Sequence, residues 1–316
     1  MRPVHISLAL LVVLLWGINF IFIDFGLRDW PPLLLVAARF VFVVLPAIFF
    51  VKFPRGSFGR ILLIGLFMSA AQFALLYTAM FLGLPAGLAS IVIQIQAAFT
   101  VIVAAVFLRE FPRRRQVVGI LVGITGLTVI GFSLQTQVPM LAFVVAIASA
   151  LSWAIGNVIA RGVKEGVNGV QMTVWSAIVV PVPLFALSLL LDGPAEVVHA
   201  ITHPTWGVVA SVAYTAGCAS LIGYVIWNSL LARFPVSQVA PFTLLVPVVG
   251  VLSAWVVLGQ RPSVPELIGG ALLVFGVAIT TGVLKSMVWG RPDGRRAARR
   301  DRRVVTSSTG AAPSSR

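Results

Sequence analysis

Arg39 is the side chain in this sequence that most needs an explanation. It lies about eight residues into an otherwise uncharged run, where a central arginine costs roughly 2.5–3.5 kcal/mol on insertion scales. Two readings of it stand side by side. In one, the guanidinium receives a solute carboxylate or lines a pathway; in the other, it is satisfied by backbone carbonyls or by Asp24 or Asp29 near an interface. Five amides, Asn19, Gln72, Gln94, Gln96 and Asn157, sit within or near the same apolar depth. Each costs several kcal/mol if buried without a partner, so they are expected to face the protein interior, bonding either another helix or a solute. Gln94 and Gln96 are about 200° apart on a regular helix, so both reach one cavity only if that helix is distorted. The rings of Trp16 and Trp153 fall too deep in their runs to be interface anchors, whereas Trp175, Tyr77, Tyr224 and Trp227 read more readily as anchors than as pocket lining. Together these groups suit the holding of a small polar solute, not bond-breaking chemistry.

Other chemistries find little support. There is no Walker loop, HExxH, GxSxG or strand-borne GxGxxG. All 9 acidic residues fall at the ends of apolar runs, between them or in the C-terminal tail, so the paired mid-membrane carboxylates of a proton-coupled pump are missing. Cys218 is the single cysteine, beside three scattered histidines, which leaves no intramolecular disulfide and no metal set. We expect no enzyme and no cofactor. An integral-membrane transferase would need clustered His and Asp that this chain lacks.

The elements that must position these residues are membrane spans. The chain is 59% hydrophobic and 10% charged, with a mean hydropathy of +1.04, against about 25% charge in a soluble domain. The apolar windows predict ten spans, at Ile6–Phe25, Pro32–Val51, Phe58–Met80, Pro85–Leu108, Gln116–Phe132, Met140–Ala160, Val170–Leu191, Thr205–Leu231, Pro235–Leu258 and Val264–Leu284. The first run lacks an A-x-A-like cleavage site after Trp16-Gly17-Ile18-Asn19 and is read as a retained helix, not a signal peptide. The formal charge of +14 is a topology signal and not a nucleic-acid stripe. With the N-terminus inside, all but three of the 23 Lys and Arg fall on the cytoplasmic side. The exceptions are Arg28 and Arg261 outside and Arg39 within a span, so both termini are expected in the cytoplasm.

The chain repeats itself. Pro85 falls on Pro235, Glu110 on Gln260, Pro112 on Pro262, Gly119 on Gly269 and Gly126 on Gly276. Earlier, Trp16-Gly-Ile-Asn19 matches Trp153-Ala-Ile-Gly-Asn157, Pro46 falls on Pro183 and Arg39 on Ser176, the register changing across Asp192–Pro204, read as an inserted loop. Five spans is an odd number, so residues 138–284 must lie inverted relative to residues 1–134, and LREFPRRR against LGQRPSVPE carries the charge asymmetry that inversion requires. Pro181, Pro183, Pro241 and Pro247 break backbone hydrogen bonds, as hinges or as static kinks. Glycines 119, 123, 126, 269 and 276 mark close helix packing, with a homodimer through them as an alternative. The Arg-rich residues 285–316 are expected to be disordered and drawn to anionic lipid headgroups.

WGINF, PPLLLVAARF, AQFALLYTAM, GLPAGLASIVIQIQA, SWAIGN, VWSA, GYVIW and VAPFTLLVPVVG, in this order between Leu10 and Val283, resemble the EamA family of the drug/metabolite transporter superfamily, most closely its O-acetylserine/cysteine exporters. The resemblance implies an all-α integral membrane fold, ten transmembrane helices as two inverted five-helix EamA repeats around a central cavity. It also implies export of amino-acid metabolites from the cytoplasm without ATP or a prosthetic group. Family members commonly end the fourth helix of both repeats with an acid; here Glu110 is present and Gln260 replaces the second. The expected protein is an inner-membrane exporter working by alternating access, its pocket built from Trp16, Asn19, Arg39, Gln72, Gln96, Trp153, Asn157, Trp175, Tyr224 and Trp227. A permease for threonine/homoserine, aromatic amino acids or a drug, and a lipid-linked flippase, are the alternatives.

Overall fold

The computed structural model describes residues 1–54, 56–133, 138–163 and 166–283; the basic tail lies outside them. Described residues form helices and turns, without a strand. In chain order they are α1 (Pro3–Leu27), α2 (Pro32–Ile48), α3 (Phe58–Phe81), α4 (Ala86–Leu108), α5 (Arg114–Ser133), α6 (Met140–Ala160), α7 (Gly169–Leu191), α8 (Pro194–Thr202), α9 (Trp206–Arg233), α10 (Ala240–Leu258) and α11 (Val264–Thr281). Among the described residues, nine of these are long and apolar enough to cross a membrane. The remaining expected span, α2, has 17 residues, about 26 Å at 1.5 Å per residue, and falls short of a 30 Å hydrocarbon core. It stops before Val51 because the Ala47 carbonyl accepts from both Phe50 and Val51 and closes the last turn.

Local chemistry sets most boundaries. Asn168 and Ser263 begin α7 and α11 with reciprocal capping boxes to Gln171 and Glu266, each satisfying two orphan N–H groups. Proline opens α1, α2 and α8, where its missing N–H costs nothing. Segment Asp192–Pro204, expected as a loop, contains α8. Gly193 turns at φ 89°, Pro194 and Glu196 favour the first turn, and Val197 and Ala200 bury against Leu34, so the segment has an apolar face to satisfy as well as a length to bridge.

Four spans depart from α geometry, in pairs. α3 runs through a π stretch at Gly65–Ala71 and α9 through one at Tyr214–Ile222; α4 tightens to 3₁₀ at Ile93–Ile95 and α10 at Ala240–Leu245. Both pairs follow the register that set Pro85 on Pro235. Pro241 explains the α10 break, and Pro181 ends the first half of α7 at Ala177. Both prolines remove a backbone donor.

The packing has an exchange pattern. α1 lies against α9 and α10, while α6 lies against α3 and α4; α2 meets α7, α4 meets α10, and α5 meets α11. Swapping the first five spans for the second five leaves this set of contacts unchanged. Apolar side chains that the fold leaves exposed, among them Phe42, Leu121, Val144, Val182, Leu190 and Val256, form a surface suited to hydrocarbon and not to water.

The expected glycine face is real, and it is used within the chain. A Cβ on Gly119 would come within 2.6 Å of the Gly276 carbonyl, one on Gly126 within 2.5 Å of the Gly269 carbonyl, and one on Gly276 within 2.5 Å of the Gly123 nitrogen. The α5–α11 backbones therefore fill the surface that the homodimer alternative required. Replacing Gly276 by Val is expected to lower stability in detergent by about 1–3 kcal/mol through overpacking. Gly217→Ala, where the added Cβ meets nothing within 4 Å, is the control. Thermal unfolding of the purified variants checks this, and an unchanged Gly276→Val transition would contradict it.

Candidate functional site

Arg39 sits in the middle of α2 and is only 2% exposed. Its Nε and Nη2 both donate to the Ser220 hydroxyl oxygen, at 3.3 and 2.9 Å, and its Nη1 donates to the Tyr77 hydroxyl at 3.0 Å. The guanidinium carbon lies 4.2 Å from the Phe73 ring centroid and 5.5 Å from that of Phe40, within cation–π range. Ser220 owes its geometry to the π stretch of α9. Its own hydroxyl proton goes to the Thr215 carbonyl five residues earlier, at 2.7 Å, leaving the oxygen lone pairs for the arginine.

These partners solvate the cation without neutralising it. Among the described residues the ion pairs are Arg28–Asp24 and Arg161–Glu110, at 2.8 and 2.6 Å. Asp29 accepts the Thr205 hydroxyl at 2.6 Å. Both carboxylates considered as structural partners of Arg39 are thus engaged elsewhere, and hydroxyls take the place expected of backbone carbonyls.

A cavity of about 70 Å³ opens beside this cluster, walled by α2, α3, α6, α7 and α9 and lined by Gln72, Phe73, Trp153, Ser176, Ser220 and Tyr224, among others. That is room for a few water molecules. Ser176, the sequence counterpart of Arg39, therefore shares a cavity wall with the residue that Arg39 bonds. Three of the ten candidate pocket residues, Gln72, Trp153 and Tyr224, line the cavity directly, and Arg39 touches it through Ser220 and Phe73.

Others stand one step back. Trp16 packs on Tyr224 and Trp227, with centroids 5.4 and 5.3 Å apart, while its indole N–H donates to the Ala219 carbonyl at 3.0 Å, one residue before Ser220. Asn19 is 8% exposed, and its Oδ1 is buried with no hydrogen-bond partner. Gln72 also ties α3 to α6, its backbone carbonyl accepting from the Ser149 hydroxyl at 2.8 Å.

The amides of α4 separate. Across the 3₁₀ turn, Gln94 donates to the Thr243 carbonyl of α10 at 3.2 Å, whereas Gln96 accepts from Asn157 of α6 at 3.1 Å. Asn157 also donates to the Thr100 hydroxyl at 3.2 Å. Gln96 and Asn157 thus form an interhelical clasp. Trp175 lies apart from the cavity. Its N–H donates to the Val51 and Lys52 carbonyls at 3.3 and 3.1 Å, and its ring meets Phe53 and Phe58, which pins the α2–α3 connection.

Sequence reasoning missed Ser220 and Phe73. Mid-span serines and phenylalanines are ordinary packing residues, and only the π stretch reveals that Ser220 points its oxygen at a cation. A usable signal was the break itself, since small-residue runs around Ser69 and Cys218 recur in the same register.

Comparison with known proteins agrees with this architecture. A family model described as the EamA-like transporter family matches residues 4–132 and 140–282. A probable amino-acid metabolite efflux pump of Escherichia coli (strain K12) is 41% identical over 277 residues, covering 86% of this chain and 93% of that protein. A probable terminal-alkyne amino-acid exporter of Streptantibioticus cattleyicolor is 31% identical over 198 residues, covering 62% of this chain and 64% of that one. A solved crystal structure at 20% identity superposes with a TM-score of 0.59 over 91% of this chain and 100% of its own length, a likeness of fold. A family match spanning most of the sequence, on an all-helical bundle with an apolar exterior, leads to one conclusion: the chain belongs to the EamA-like transporter family, whose members are transporters and not enzymes.

Proposed function

We propose that this protein exports small amino-acid metabolites, O-acetylserine- or cysteine-like, across the inner membrane by alternating access of two inverted five-helix repeats. The single observation that carries the site is Arg39, a buried guanidinium with hydroxyl and ring partners and no carboxylate among the described residues. An isolated charge in a low-dielectric setting is costly, and an incoming anion lowers that cost more than a hydroxyl does. The solute carboxylate takes the guanidinium face now shared by Ser220 and Tyr77. Gln72 and the orphan Oδ1 of Asn19 offer bonds to the polar head, and Trp16, Trp153, Tyr224 and Trp227 form the wall around the remainder. Gln96, Asn157 and Trp175 hold the surrounding helices and the α2–α3 connection in place.

The solute class is supported by the names of the relatives, which speak of amino-acid metabolites and an alkyne amino acid. The exchange symmetry of the helix contacts and the paired breaks support two equivalent halves. A cavity of about 70 Å³ is smaller than an amino acid, so loading requires wall movement. The walls hold the two π stretches and the Ala177–Pro181 break, where helix geometry is already relaxed. Other solutes handled by such permeases remain the second reading, favoured if the carboxylate proves dispensable.

Arg39→Ala is expected to reduce the apparent affinity for an exported amino acid about 100-fold, corresponding to roughly 3 kcal/mol for a truncated buried charge contact, while membrane levels stay unchanged. Efflux from loaded vesicles is the measurement, and undiminished efflux would remove Arg39 from the mechanism. Arg39→Lys restores the charge but not the forked geometry, so partial recovery is expected. For orientation, reporter fusions at Arg115 and Arg233 are expected to read cytoplasmic and one at His203 periplasmic. The opposite pattern would overturn the cytoplasmic placement of the termini.

A further inference from the structure

The cavity beside Arg39 is not the roomiest. A cavity of about 510 Å³ lies where α4 begins and α10 passes into α11, at the opposite end of α4 from the Glu110–Arg161 pair. Its floor is apolar, with Leu88, Ile91 and Val251, and its polar wall carries Gln260, Arg261 and Glu266. That volume is ordinary for a small-molecule site.

The polar groups have a definite chemistry. Gln260 Oε1 is buried without a hydrogen-bond donor, and an acceptor left in that state costs about 1–3 kcal/mol. Arg261 lines the cavity and is exposed. Although Glu266 is only five residues away, neither of the two forms an ion pair among the described residues. Glu266 is held instead by the Ser263 backbone N–H at 2.7 Å, at the N-terminus of α11, where the helix dipole favours its charge. One cavity therefore presents a free guanidinium and a fixed carboxylate, with Gln260 in its wall. This is the complement of a zwitterion, with the ammonium on Glu266 and the carboxylate on Arg261.

We infer that this cavity is a second amino-acid site, distinct from the Arg39 cluster, where the solute is held near the exit side of the bundle. The inference rests on the reading of the chain as an amino-acid exporter. The site is open and its charges are hydrated, so it binds more weakly than the buried one. Gln260, where the first half carries Glu110, fits this role: a neutral side chain in the wall adds no second charge that would make release to water slow.

The test is equilibrium binding of radiolabelled threonine, O-acetylserine and phenylalanine to the full chain purified in lipid-free detergent. The wild type is expected to bind the preferred amino acid in two events. Arg261→Ala should remove the weaker event and spare the tighter one, and Arg39→Ala should do the reverse. Gln260→Glu, which adds a carboxylate opposite the ammonium, should tighten the weaker event about fivefold. A single event abolished by Arg39→Ala overturns the inference while leaving the exporter reading intact. So does a weaker event indifferent to both Arg261→Ala and Gln260→Glu, or occupation of the cavity by added phosphatidylethanolamine instead of amino acid. Failure of the wild type to bind any of the three would sink the exporter reading together with this one.

Discussion

A guanidinium cannot lose its proton in a protein, so burying one in an apolar bundle leaves only the question of what stands in for water. In this chain the answer is assembled from three helices. α2 supplies Arg39, α3 supplies Tyr77 and Phe73, and α9 supplies Ser220 through a π stretch that turns its hydroxyl away from regular helix packing. The arrangement is good enough to hold the charge and leaves it uncompensated. That residual charge, beside the neighbouring cavity, is the ground on which the proposed binding of a solute carboxylate rests.

The helix irregularities follow from the same need. A bundle of regular apolar helices packs itself shut, as α5 and α11 do through their facing glycines. To keep polar groups and space at mid-depth, the fold relaxes α3, α4, α9 and α10 at paired positions and interrupts α7 before Pro181. Each departure frees or redirects a backbone carbonyl, and the carbonyls of Thr215, Ala219 and Thr243 each accept a bond from a side chain important to the site or its walls. The breaks are thus a way of solvating polar side chains from within.

The parts legible in the sequence are those governed by one-dimensional physics. Apolar length marked the spans, since nothing but hydrocarbon tolerates such runs. The constant register between Pro85 and Pro235 marked the paired helix breaks, and the depth of Arg39 marked a cation that the fold has to solvate from within. What could not be read depended on rotation about a helix axis or on a break in it. Gln94 and Gln96 were expected to share a cavity only if α4 were distorted; the distortion is there, yet it sends them to different helices. Trp175 has the composition of a pocket ring and serves a loop, because its depth along α7 alone does not say which face it occupies. α8 was hidden because a stretch bounded by Gly193 and Pro204 looks like a loop until Val197 and Ala200 find Leu34.

The account stands on the claim that the transported molecule completes the charge of Arg39 with a carboxylate. Counterflow in proteoliposomes, comparing an exported amino acid with its carboxamide of nearly the same shape, tests this directly. Strong exchange of the acid and little or none of the amide is the result the account predicts. Equal exchange of the two would contradict it, since the buried cation would then have no part in choosing what crosses the membrane.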